Sequence, residues 1–164
     1  MTPQLDVTDS LTSGAAASAS KRPVSVLVVV FTRAGEFLLL DRVRPPHFWQ
    51  SVTGSLQPGE TPRAAAVREL REETGLVAGS GLVDLRESRL FPIKPAWRVR
   101  YRQGVCFNRE HWFALPLPAR RRIRLAADEH SGCRWLPAAQ AARLTGSWTN
   151  RDAIRLLASQ YGGC

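Results

Sequence analysis

The sequence lacks the features that mark a membrane span, a secretory leader or a disulfide scaffold. No apolar run approaches the roughly 18 residues needed to cross a bilayer, and the N-terminus has no basic start followed by an apolar segment. Only three cysteines occur in 164 residues, Cys106, Cys133 and Cys164. Their spacing fits no metal-ligand motif, and an odd number cannot all pair within one chain. Reduced thiols in a cytoplasm are the economical expectation. Acid is also scarce, with 14 Asp+Glu against 23 Lys+Arg and a formal charge of +9. Such an excess suits a nucleic acid, an anionic membrane surface or a polyphosphate substrate. No nucleic-acid-binding motif accompanies it, and only Arg120–Arg124 is densely basic. Large apolar residues are nearly absent from positions 1–20, which are rich in Ser, Thr, Ala and Gly. That composition cannot offset its ordering entropy, so a disordered extension is expected ahead of one domain over 21–164.

The rest of the chain reads as alternating strands and helices. Val24–Phe31 is a β-branched, nearly all-apolar run, expected as a buried central strand, and Arg33-Ala34-Gly35 turns it into a second strand at Glu36–Leu40. Arg42–His47 is a loop, and Phe48–Thr53 returns to strand character. A helix follows from Pro62, with Thr61 as N-cap and Gly75 as terminator. Leu82–Ser88, His111–Leu115 and Cys133–Leu136 read as strands, and Pro137–Leu144 and Asn150–Leu157 as helices. Phe91–Pro95 holds two prolines and cannot be a regular central strand. Arg98–Tyr101 alternates basic and apolar residues. Mixed order, with strands outnumbering helices, predicts an α/β (α+β) sandwich on a mixed sheet rather than a doubly wound parallel one.

The stretch with the most chemistry is Gly54–Leu76. Glu69, Glu72 and Glu73 stand at i, i+3 and i+4, so their carboxylates share one helix face. Two carboxylates roughly 6 Å apart repel by about 2–3 kcal/mol at an effective dielectric near 20. The cluster therefore costs stability unless a cation occupies it, and oxygen-only ligands suit Mg²⁺ or Mn²⁺. A solvated acidic face is the alternative, and spacing decides against it. Gly54, Glu60, Arg68, Glu69, Leu70, Glu72, Glu73, Gly75 and Leu76 fill, without mismatch, the pattern Gly, five residues, Glu, seven residues, Arg-Glu, aliphatic, any, Glu-Glu, any, Gly, aliphatic. At average usage such a match arises by chance on the order of once in 10⁹ windows.

That pattern is the Nudix box, and the chain resembles the Nudix hydrolase superfamily. The resemblance implies an α/β/α sandwich with the box as strand–loop–helix, and metal-dependent hydrolysis of a nucleoside-diphosphate-linked bond. It maps metal ligands onto Glu69 and Glu73, leaves Glu72 variable, and makes Glu60 a support for Arg68. The metal's part would be to neutralise phosphate charge, polarise phosphorus and acidify a bound water.

Blocks outside the box narrow the likeness. K-R-P-V-S-V-L-V-V at 21–29, F-W-Q-S-V-T-G-S at 48–55, R-Y-R-Q-G-V at 100–105, N-R-E-H-W-F at 108–113 and S-W-T-N-R-D-A-I at 147–154 resemble the bacterial dihydroneopterin triphosphate pyrophosphohydrolases of folate biosynthesis. This implies conversion of dihydroneopterin triphosphate to the monophosphate and pyrophosphate. It carries substrate contacts to Lys21, Arg42, Thr53, Phe91, Pro92, Ile93, Lys94 and Ser147. It also carries Glu129 over as a further metal ligand or general base, with Asp128 beside it as the alternative. The cations suit a triphosphate, the hydroxyls a pterin or its side chain, and Phe91 or Trp49 a flat ring. The expected catalytic set is thus Arg68, Glu69, Glu72, Glu73 and Glu129, with Glu69, Glu73 and Glu129 on the metal. Two prolines in a substrate-contacting segment depart from the pattern. Two other readings compete: a house-cleaning (deoxy)nucleoside triphosphate hydrolase, and a non-catalytic RNA- or nucleotide-binding module. The second is disfavoured because a binding module has no use for a repulsive carboxylate cluster.

Overall fold

The computed structural model describes residues 20–162. The expectation of a disordered 1–20 extension falls almost wholly outside them. Among the described residues, no helix is long and apolar enough to cross a membrane.

The chain builds one mixed sheet flanked by helices on both faces. β1 (Val24–Thr32) lies at its centre and is buried from Ser25 onward. It runs antiparallel to β2 (Glu36–Arg42) and β4 (Val52–Ser55) and parallel to β6 (Phe107–Leu117). β3 (Trp49–Gln50) and β7 (His130–Pro137) join β2, and β5 (Val83–Pro92) closes the far side against β6. Strand alternation divides the core in two. Val26, Val28, Leu38 and Phe113 pack under α1 (Pro62–Thr74) with Leu70 and Ala66. Leu27, Val29, Phe37 and Trp112 pack under α2 (Ala138–Leu144) and α3 (Trp148–Tyr161) with Ala141, Ile154 and Leu157.

Two elements depart from the sequence reading. Phe48–Thr53 is two short strands with different partners, β3 on β2 and β4 on β1. The break is at Ser51, whose N–H donates instead to Asn150 Oδ1 at 2.6 Å, a contact across 99 positions. β5 runs on through Phe91 and Pro92, past its expected end at Ser88. Proline is tolerated there because β5 ends the strand order, so among the described residues its outer side has no ladder to complete. The alternating segment near Arg98 is an exposed 3₁₀ turn, Pro95–Arg100.

Candidate active site

The acidic helix forms as its local signals dictate. Thr61 Oγ accepts the Ala64 N–H at 3.2 Å, Pro62 occupies the first turn, and Gly75 at φ 73° ends the helix by donating to Arg71 O. Arg68 is the hub of the loop preceding it. Its Nε and Nη2 donate to the two Glu60 oxygens at 2.8 and 2.9 Å, and Nη2 also reaches Ser55 O at 3.1 Å. Its Nη1 donates to Glu69 at 2.6 Å and to Glu72 at 3.2 Å. Glu60 Oε2 also accepts the Gln57 N–H at 2.8 Å, so this carboxylate is spent on loop and arginine. Hydrogen bonds from Arg68 hold its pKa below the usual carboxylate range.

The neighbouring carboxyls go the other way. Burial, reinforced by the charges of Glu73 and Glu72, pushes Glu69 up to about 7 against the pull of Arg68. Glu73 is 2% exposed, and burial raises it too. Its Oε2 lies 3.4 Å from His130 Nε2 without the alignment of a hydrogen bond, and both atoms are buried and unpartnered, as is His130 Nδ1. Glu129, exposed, completes a group of three donors all within 4.8 Å of one another: Glu73, Glu129 and His130. The loop bearing the last two is fixed to the end of β2, where Val43 N–H donates to Glu129 O at 2.8 Å beside a bulge at Asp41–Arg42. Glu69 stands outside that three-donor group, engaged by Arg68. His130 had no place in the sequence reading. Its one signal was adjacency to Glu129, and its partner Glu73 is far away in the chain.

A single cavity of about 900 Å³ collects the remaining expected residues. Lys21, Arg42, Thr53, Phe91, Pro92, Ile93, Lys94 and Ser147 all line it, together with Arg68, Glu69, Glu72, Glu73, Asp128 and Glu129. Arg44 and Arg100 add two cations, and Phe48, Trp97 and Tyr101 three aromatic walls, that sequence reasoning missed. Burial lowers the Lys21 pKa, with Arg100 and Arg42 adding to the effect, so positive charge is concentrated at that mouth. Three expectations need adjusting. Trp49 packs against the α2/α3 core with Arg134 over its ring, and it does not face the cavity. The Ser147 hydroxyl is already engaged, capping α3 and meeting Thr149 Oγ1 at 2.9 Å. Ile93 is buried at 3% exposure, so what it offers is a wall.

Comparison with known proteins bears on this arrangement. Residues 21–157 match the NUDIX domain family. The chain is 45% identical over 138 residues to the dihydroneopterin triphosphate diphosphatase of Escherichia coli (strain K12), covering 82% of this chain and 91% of that protein. The protein of the same name from Haemophilus influenzae is 37% identical over 139 residues, covering 82% and 87%. The solved structure of the E. coli dihydroneopterin triphosphate pyrophosphohydrolase superposes with a TM-score of 0.80 at 42% identity, over 87% of this chain and 99% of that one.

Proposed function

The chain belongs to the NUDIX domain family, and we propose that it is the pyrophosphohydrolase that converts dihydroneopterin triphosphate to the monophosphate and pyrophosphate. The observation that carries the reading is one cavity lined by both the box carboxylates and the flanking-block residues. The extent of identity to dihydroneopterin triphosphate diphosphatases supports it.

The donor set fits a divalent cation. Buried, unpartnered oxygen and nitrogen atoms on Glu73 and His130 converge with Glu129, and burial raises the Glu73 carboxyl toward its uncharged form when nothing cationic is beside it. Glu73 and Glu129 would hold the ion with His130, and Glu69 is the adjoining carboxylate. Mg²⁺ is the expected ion, and the imidazole makes Mn²⁺ an acceptable substitute. When bound, the ion supplies neutralisation of phosphate charge and acidification of water.

The protein's own residues do the rest. Lys21, Arg42, Arg44 and Lys94 bind the triphosphate as charge-assisted donors. Arg68, locked onto Glu60, fixes the Glu69 carboxylate rather than touching substrate. Glu129 is exposed and uncapped by any ion pair among the described residues, which suits it to take a proton from the attacking water if it is not committed to the metal. Phe91 and Trp97 wall the ring.

The test is pyrophosphate release in Mg²⁺ from dihydroneopterin triphosphate and a panel of nucleoside triphosphates at equal concentration. A kcat/KM for the pterin at least tenfold above the panel is expected. Comparable values throughout would demote the enzyme to a general nucleoside triphosphate hydrolase.

A further inference from the structure

Glu110 is a buried acid in a cavity meant for a polyanion. It is 5% exposed, lines the cavity, and among the described residues has no cation within ion-pair distance. Its Oε1 accepts the Trp112 indole N–H at 3.1 Å, and Thr149 supports it from α3. Burial nonetheless keeps its pKa above the ordinary range. Two residues earlier on β6, and so on the same strand face, Asn108 is 4% exposed. Asn108 donates from Nδ2 to Ser25 Oγ at 2.7 Å, while its Oδ1 is buried with no partner among the described residues. Both residues line the same cavity. The protein thus buries a carboxyl and an amide oxygen two positions apart on one strand face; among the described residues no cation pairs with the first and no donor reaches the second.

A buried carboxyl without a cation and an amide oxygen without a donor favour a ligand that brings N–H groups. The triphosphate cannot be that part, because it carries only acceptors and negative charge. Resting on the substrate reading above, we propose that Glu110 and the Asn108 amide oxygen read the N–H edge of the substrate's heterocycle, an exocyclic amino group beside a ring N–H. A 2-amino-4-oxo pteridine presents this edge, and so does guanine. Glu110 and Asn108 are then the residues that choose the ring, whereas the box chooses the bond. A site built to pair a donor edge rejects a ring lacking it, because the buried acceptors are left unpaired.

The experiment compares dihydroneopterin triphosphate with the same compound bearing hydrogen in place of the 2-amino group, for the full chain and for Glu110→Gln. We expect the wild type to favour the amino compound by at least tenfold in kcat/KM. In Glu110→Gln that preference falls to about twofold and KM rises roughly 10- to 100-fold with kcat kept within about threefold. A variant that loses kcat or thermal stability while keeping the preference would assign Glu110 to holding α3 on β6, and would overturn the inference. If neither pteridine is a substrate, the reading above fails on its own account, and GTP against ITP makes the same comparison as competing ligands. A wild type indifferent to the amino group in both pairs overturns the inference even if Glu110→Gln does not fold.

Discussion

Gly54, in β4, and Gly59, in the loop between β4 and α1, both belong to the box, and alanine at each should fail in opposite ways. At Gly54 the backbone is ordinary but the space is taken. A Cβ there would sit 2.0 Å from Glu69 Cδ and Oε1 and 2.4 Å from Cγ. Carbon atoms settle about 3.5–4.0 Å apart, so the Glu69 carboxylate must move by roughly 1.5 Å and give up its 2.6 Å contact with Arg68. The atoms in the way are the end of one side chain, so the fold can absorb the change. Displacing the side chain costs about 0.5–1.5 kcal/mol. Weakening this part-buried ion pair, whose arginine stays bound to Glu60, costs about 1. Restricting the unfolded chain returns about 0.4–1. The net change stays near 1 kcal/mol, a few degrees in Tm. Activity has no such cushion, since a misplacement of about 1 Å costs on the order of 10²-fold in rate. Gly59 is the reverse case: φ is +73° with nothing within 4 Å of a new Cβ. Alanine there strains the backbone by about 1–2 kcal/mol and should leave kcat nearly intact. Thermal unfolding and Mg²⁺-dependent pyrophosphate release on both variants make the check. Wild-type kcat in Gly54→Ala would remove Glu69 from the chemistry, and an unfolded Gly54→Ala would show that the strand, not the carboxylate, takes the clash.

Two further perturbations test the electrostatics. The folded-state pKa of Glu69 is raised to about 7 and that of Glu73 is raised as well, so between about 4.5 and 7 the metal-free protein holds more protons than its unfolded chain. Its stability should therefore fall as pH rises through that window, by about 1–2 kcal/mol for Glu69 after allowance for solvent screening. Mg²⁺ should raise Tm more at pH 7.5 than at pH 5.5, and Glu73→Gln should flatten the profile, keep or raise Tm and abolish turnover. Metal-free Tm that climbs from pH 5 to 7, or an active Glu73→Gln, would contradict this. Arg68→Lys keeps the charge but loses the fork on Glu60 and the bonds to Ser55 O and Glu69. We expect a loss of about 1–3 kcal/mol together with a fall in kcat, read by calorimetry and initial rates. Unchanged values of both would show the hub to be dispensable.

What could be read from the chain was local or strictly spaced. The α1 caps, the Gly35 turn and the buried run of β1 depend on neighbours within a few residues, and the structure has them where the sequence puts them. The box is equally legible because its function fixes its spacing. Tertiary partners were not legible. Nothing near Ser51 announces that Asn150 will take its N–H, and so nothing announces that one strand becomes two. Trp49 and Phe91 look alike as aromatic residues in apolar surroundings, yet one packs against the core and the other lines the cavity. His130 and Glu110 are buried polar residues whose meaning comes from what they are left without, and that cannot be seen before the chain folds.

The sheet explains why the box identifies a reaction class but not a substrate. Along β4, Val52 and Gly54 face α1, and Gly54 backs onto Glu69. Thr53 between them pairs with Leu27, whose side chain belongs to the opposite core, and its hydroxyl accepts from Gln50 at 3.2 Å. Ser25, Asn108 and Glu110 extend that second face, since they alternate in register with Leu27 and Trp112. The cavity takes in both faces at this end of the sheet. Its carboxylate side comes chiefly from one contiguous stretch, which the chemistry constrains. The other side is assembled from β1, β3, β5, β6 and the start of α3, five segments spread along the sequence. Changing that second face would change the ring accepted without touching the bond cleaved, so substrate choice can be altered there while the box stays fixed.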